Sequence, residues 1–457
     1  MPVEPTVPTQ PDAASPAEPE QNGIVGSPLS RRGFLRVAGV AGLTGVAASV
    51  AACTTAAAPA WSFGAPATPG AATQAPASAA PSAAPSAAPS AAASAAPSAA
   101  PSQDPNIPAG WSAHDIAARE VVRRYLGNLA LAIPAVYGDE VFNILADMLG
   151  ADATWPDPAV KPAFVQVPQL VLNDAISPLT PEADGEWKVF RLTIDEIEHK
   201  IDEKLPTVAA LGYNEQTPGP TIRVKEGDKV RVIFTNNLKE TTGVHFHGVE
   251  FENFFMDGVP FVTQKPFAPG ESFTYEFTAD RPGSLMYHSH HNATDQVGRG
   301  LLGAYIVDPK TPTKLDNFDR DYIWISNDVL GGFTINGHGF PAVLPIVAAV
   351  GETVRVRYMN EGIMYHPFHS HGYKQTVVAR DGYNLAQTAV YDADTITVGP
   401  GERWDVNITC DRIGLWAYHC HILPHVEGAD GMFGMVNVLI VVPEKSHVDA
   451  IVAALLA

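Results

Sequence analysis

From Trp187 to about residue 445, apolar and polar residues alternate in short runs such as KVFRLTI, TIRV, KVRVIF and SFTYEF, broken by Pro-Gly, Glu-Gly and Asn-Asn. A period of two with turn residues at that spacing predicts strands, and many short strands in series predict β-sandwiches. Residues 112–150 read differently. Ser112 stands where an N-cap would, and AAREVVRRYLGNLALAI carries apolar residues three and four apart, so 109–186 is expected to be a helical or irregular extension. The closing SHVDAIVAALLA predicts a short terminal helix.

The first hundred residues do not read as a fold. SRRGFLR at 30–36 precedes VAGVAGLTGVAASVAAC, a run too short and too rich in small residues for a spanning helix. The pair of arginines resembles a twin-arginine export signal over 1–53. Its end, VAAC, resembles a lipobox, which implies lipidation at Cys53 and anchoring on the extracytoplasmic face of the membrane; soluble secretion is the alternative. Residues 54–108 are dominated by Ala, Pro and Ser and cannot bury enough apolar surface to offset chain entropy, so they are expected to form a disordered tether.

Composition narrows the partners. The 457 residues suffice for two or three domains. Lys plus Arg number 29 against 49 Asp plus Glu, a net charge of −20 with no basic stripe, which excludes nucleic acid as a partner. Beyond Cys53 only Cys410 and Cys420 remain. Pairing them would consume the one cysteine that histidines flank, so two unpaired thiols are expected.

A repeat lies within the strand-rich region. GDKVRVIFTNN from Gly227 matches GETVRVRYMNE from Gly351, and the same offset carries His245 and His247 onto His369 and His371. DRPGSLMYHSH from Asp280 matches DRIGLWAYHCH from Asp411, carrying His288 and His290 onto His419 and His421. Two homologous all-β sandwich domains, 187–309 and 320–445, are therefore expected in tandem. Within a strand, residues i and i+2 share a face, so each His-x-His pair can offer two imidazoles to one site. Eight imidazoles exceed the needs of a four-ligand zinc site and point to a polynuclear centre.

The copies differ where the pairs do not reach. Cys420 aligns with Ser289, His425 with Thr294, Met432 with Leu301 and His366 with Thr242. The second domain alone thus carries two imidazoles, a thiolate and a thioether, the ligand set of a blue-copper site.

HFHG, MYHSH, HPFHSHG and HCHILPH together resemble the multicopper oxidases, and within them the two-domain laccase-like branch. The resemblance implies two Greek-key cupredoxin folds, a homotrimer closed by rotation, and four copper ions per chain. It implies His366, Cys420, His425 and Met432 as type 1 ligands, with Met435 the competing thioether. It implies His245 and His369 on the type 2 copper, and His247, His288, His290, His371, His419 and His421 on the type 3 pair. Asp257 falls where the family keeps an acid for proton delivery, while Pro424 stands where some members carry a glutamate. His291 has no counterpart in the second domain and is not expected to be a ligand. Dioxygen and a small reducing substrate, a phenol, an aromatic amine or a metal ion, are the expected partners, with electron transfer through Cys420. The alternatives are a copper nitrite reductase-like enzyme and a non-catalytic copper or electron-transfer protein.

Overall fold

The computed structural model of the protein describes residues 111–127, 136–148, 178–202 and 205–456. The expected export signal, the tether and Cys53 lie outside the described residues.

The alternating runs form two successive β-sandwiches. The first begins with β1 (Glu182–Asp184), β2 (Trp187–His199), β3 (Val208–Tyr213), β4 (Gly219–Lys225) and β5 (Lys229–Asn236). It continues with β6 (Val244–His247), β7 (Ser272–Thr278), β8 (Gly283–Ser289) and β9 (Leu302–Asp308). One sheet runs β1-β2-β5-β7 with β3 paired to β2, and the other β4-β9-β8-β6. Period two holds in β5, where Val230, Val232 and Phe234 are buried between half-buried neighbours. They meet Phe246, Tyr275 and Tyr287 in one core between the sheets.

The second sandwich opens with β10 (Arg320–Asn327), β11 (Thr334–Ile335), β12 (Ile346–Ala349), β13 (Thr353–Asn360) and β14 (His366–Ser370). Next come β15 (Gln375–Arg380), β16 (Tyr383–Asn384), β17 (Tyr391–Ala393), β18 (Thr395–Val398) and β19 (Arg403–Thr409). The chain closes it with β20 (Gly414–Cys420), a small hairpin of β21 (Glu427–Gly428) and β22 (Gly431–Met432), and β23 (Val436–Val442). Its pairing repeats that of the first. β10 runs parallel to β13 as β2 does to β5, β12 parallel to β23 as β4 to β9, and β14 antiparallel to β20 as β6 to β8. The sequence repeat is a repeat of topology.

The sandwiches pack against each other through Met286, Leu302 and Ile306 of the first and Ile323, Ile325 and Met359 of the second. This second buried face explains why every residue of β10 is buried although only one face lines its own core. Beside the contact, Arg357 forks onto Asp321 at 2.7 and 3.0 Å, and Ser284 of the first sandwich donates to Asp405 of the second at 2.7 Å. Such buried pairs are weak evidence for stability, because desolvation offsets most of their Coulombic attraction.

Three helices of eight or more residues are described: α1 (Ala113–Gly127), α2 (Asp139–Met148) and α3 (Lys445–Leu456). Val121, Tyr125 and Leu126 of α1 enter the core of the second sandwich, where the Tyr125 ring lies 4.7 Å from that of Phe340. The terminal helix α3 packs on β12.

Candidate metal centre

Register places the first group of donors. β14 pairs with β20 so that Phe368 faces Cys420 and His369 faces His419. Cys420 turns into the sandwich, where its Sγ lies 3.9 Å from Nδ1 of His366 and 3.7 Å from Nδ1 of His425, all three side chains buried. Two metal bonds of about 2.0–2.3 Å meeting at an open angle span about 3.5–3.8 Å, so these atoms are spaced to share one ion. Burial pushes the Cys420 thiol up to about 11, so a metal must displace its proton. Burial, and then the neighbouring His366, lowers His425 and keeps it neutral for ligation. Met432 borders the same core, half-buried, while Met435 is fully buried with its carbonyl accepting from the Cys420 amide at 3.0 Å.

Neither imidazole of this group meets solvent. Asp328 Oδ2 stands 3.3 Å from Nε2 of His366, both side chains fully buried. Burial works against ionisation of Asp328, but His366 and the amides of Ile363 and Met364, each at 2.8 Å, hold its carboxyl below the usual range. A carboxylate on Nε2 favours the tautomer that leaves the Nδ1 lone pair facing Cys420. The Phe333 ring covers His425, with centroids 3.9 Å apart and planes 18° from parallel.

The eight histidines of the His-x-His pairs divide into two groups of four. His245 lies at ring distances of 5.7, 5.5 and 5.5 Å from His247, His288 and His290. In the second sandwich His369 lies 4.9, 5.9 and 5.6 Å from His371, His419 and His421. Among the described residues no ring contact joins one group to the other. Of the four His-x-His pairs, only His245 and His247 lie within one strand. His290, His371 and His421 each stand just beyond the end of β8, β14 or β20, so strand alternation alone does not deliver those pairs and the following turns complete them.

Backbone carbonyls orient these rings. His245 donates from Nδ1 to Asp257 O at 2.6 Å, His288 to Ser289 O at 2.9 Å, His369 to Asp394 O at 3.0 Å and His419 to Cys420 O at 2.8 Å. Each bond leaves Nε2 as the ligating atom. Burial carries His245 and His288 down to about 4 and, together with the charge of Arg403, His247 down to about 3, so all three are neutral near pH 7. The Asp257 carboxylate reaches to 3.5 Å from His245 Nδ1, beside the first group. His291 stands apart, its Nε2 bonded to Thr241 Oγ1 at 2.8 Å.

The first sandwich shows why it lacks a second Cys–His–His set. Thr242 and Ser289, the counterparts of His366 and Cys420, both donate to Gln296 Oε1, at 2.8 and 2.6 Å, and the Gln296 amide donates to Thr241 O at 2.9 Å. A closed hydrogen-bond cluster takes the space of the metal donors. Asp328, Phe333, Gln296 and Glu361 carried no signal in the sequence, because each acts on a partner from another part of the fold. Glu361 lines a cavity of about 350 Å³ with His245, His247, His288 and His290, and burial pushes its carboxyl up to about 8 although Arg403 works against this.

Two cupredoxin-like sandwiches with one buried thiol–imidazole set and two histidine foursomes define a copper protein with more than one kind of metal site. Residues 193–312 match a family profile described as multicopper oxidase, and residues 307–442 match a second of the same description. The chain belongs to the multicopper oxidase family, whose cofactor is copper in type 1, type 2 and type 3 sites holding four ions. Laccase-2 of Botryotinia fuckeliana is 30% identical over 267 residues, covering 50% of this chain and 45% of that protein. The multicopper oxidase MmcO of Mycobacterium tuberculosis is 29% identical over 259 residues, covering 46% of this chain and 50% of its own length. The chain therefore spans about half the length of these curated relatives. The crystal structure of the blue copper oxidase from Nitrosomonas europaea superposes with a TM-score of 0.54 at 32% identity, over 56% of this chain and 86% of the other.

Proposed function

We propose that this protein is a laccase-like oxidase that takes single electrons from a small reducing substrate and delivers them to dioxygen, which leaves as water. The observation that carries the reading is the β20 segment, where Cys420 faces His366 and His425 while its neighbour His419 groups with His369 and His371. One short covalent path thus links the two kinds of site.

In this reading His366, Cys420, His425 and Met432 hold type 1 copper, His245 and His369 the type 2 ion, and His247, His288, His290, His371, His419 and His421 the type 3 pair. Bound copper supplies the one-electron steps and the four-electron reduction of dioxygen. Asp328 orients His366, Phe333 excludes water from His425, and Asp257 delivers protons beside His245. Phe333 also lines a cavity of about 370 Å³, which gives a reducing substrate a place within one ring of His425.

Each chain carries its two foursomes apart, and neither can complete a cluster that needs eight imidazoles. We read the active form as a homotrimer in which the first sandwich of one copy faces the second sandwich of the next. Exposed Phe254, Phe255, Phe261 and Val262, on the loop around Asp257, are suited to bury against that copy. The amino-terminal signal supports export, with a lipid anchor at Cys53 on the extracytoplasmic face.

A copper nitrite reductase-like reading needs the thiolate in the first sandwich, where Ser289 is bonded to Gln296 instead. Metal analysis, absorption and oxygen uptake on the purified protein decide the question. The oxidase requires about four coppers per chain, a blue thiolate band and oxygen consumption with a phenol or a reduced metal ion. One copper per chain without oxygen uptake sinks it and leaves an electron carrier.

A further inference from the structure

The hairpin β21–β22, which carries Met432, is held weakly by its own strands. It forms a two-stranded sheet by itself, with Glu427 opposite Met432 and Gly428 opposite Gly431, and among the described residues no other strand joins it. An isolated two-residue ladder is marginal in water. One side of it borders the cavity of about 370 Å³, which Gly428 and Gly431 line together with Phe333 and Gly339.

Helix α1 supplies the support on another side. Gly431 has φ +87, and a Cβ there would stand 2.6 Å from Ala118 Cα, so the helix backbone lies directly against the hairpin. One turn earlier, His114 donates from Nδ1 to Ala429 O at 3.0 Å, and its Nε2 stands 3.5 Å from Glu427 Oε1. The helix touches both arms of the hairpin and its tip. Its far end is itself anchored, since Val121, Tyr125 and Leu126 are buried in the core that contains Cys420.

We propose that helix α1 is a clamp on the type 1 site: by bracing the β21–β22 hairpin against its cavity, it sets where the Met432 thioether stands and so tunes the metal's reduction potential. The inference rests on the assignment of Met432 and Cys420 above. A weak axial thioether sets the potential of such a site through its distance, so a small displacement of the hairpin is electronically visible. Ala118 and His114 are positioning residues, since neither reaches the metal donors. The amino-terminal extension, whose role the sequence left open, thereby acquires one.

The test uses the copper-loaded full chain. Ala118→Leu wedges the helix from Gly431, and His114→Ala removes the polar tie while leaving packing intact. The thiolate charge-transfer band and the type 1 potential, followed by redox titration, are expected to shift in both variants, most in Ala118→Leu, while Ala118→Ser behaves as the parent. Hydrogen exchange over 113–127 reports whether the helix has loosened. A loosened helix with band and potential unchanged overturns the clamp. A parent protein without any blue band overturns the type 1 assignment instead, so the two failures are distinguishable.

Discussion

The Phe333 ring lies flat on the His425 imidazole, 3.9 Å between centroids, and the same ring forms part of a cavity wall. It is the partition between solvent-accessible space and the buried donor set. Phe333→Ala is therefore expected to admit water to His425. Water favours the more highly charged oxidised metal, so the type 1 potential should fall, and a redox titration measures it. Removing a half-buried ring is expected to cost about 1–3 kcal/mol of stability, below the ~3–5 kcal/mol typical of a fully buried phenylalanine.

Cys420→Ser tests the junction. The blue band should disappear and copper content fall from about four to about three per chain, because the histidine foursomes keep their ligands. Substrate oxidation should fall to background in an oxygen-uptake assay. Retained oxidation would mean that electrons do not travel by way of Cys420.

Gln296→Leu probes the first sandwich. The buried hydroxyls of Thr242 and Ser289 would lose their shared acceptor, and the expected loss is ~1–3 kcal/mol in denaturant unfolding. Absorption of the type 1 site in the other sandwich should not change.

Glu361→Gln carries a pH signature. Burial raises the carboxyl of the folded protein to about 8, above its ordinary value in the unfolded chain, so folding binds a proton between those values. Stability is full below the unfolded pKa and falls as pH rises through about 8. In urea melts of the copper-free protein, the amide variant should match the parent near pH 4 and exceed it above pH 8. The gain is on the order of 2–4 kcal/mol.

Much of the fold was legible because its signals are local. Alternation such as that of KVRVIF specifies a strand wherever one face is buried, and the repeat of Gly227–Asn237 at Gly351–Glu361 announced two equivalent sandwiches. The motif histidines were legible because they repeat at fixed offsets, and Cys420 because it breaks the repeat, standing where the first copy has Ser289. Helix α1 was legible as a helix but not as a clamp. Its apolar residues Val121, Tyr125 and Leu126 show that it packs, whereas Gly431, more than 300 residues downstream, shows where.

The sequence by itself determined the secondary structure of the sandwiches, the duplication and the set of candidate metal donors, because period-two patterning and ligand spacing are written within a few residues. Only the tertiary structure decided that Asp328 stands on His366, that Phe333 lies over His425, that Gln296 closes the first sandwich and that the eight histidines stand as two groups of four. Those relations join residues distant in sequence, and their distances follow from how the sheets pack.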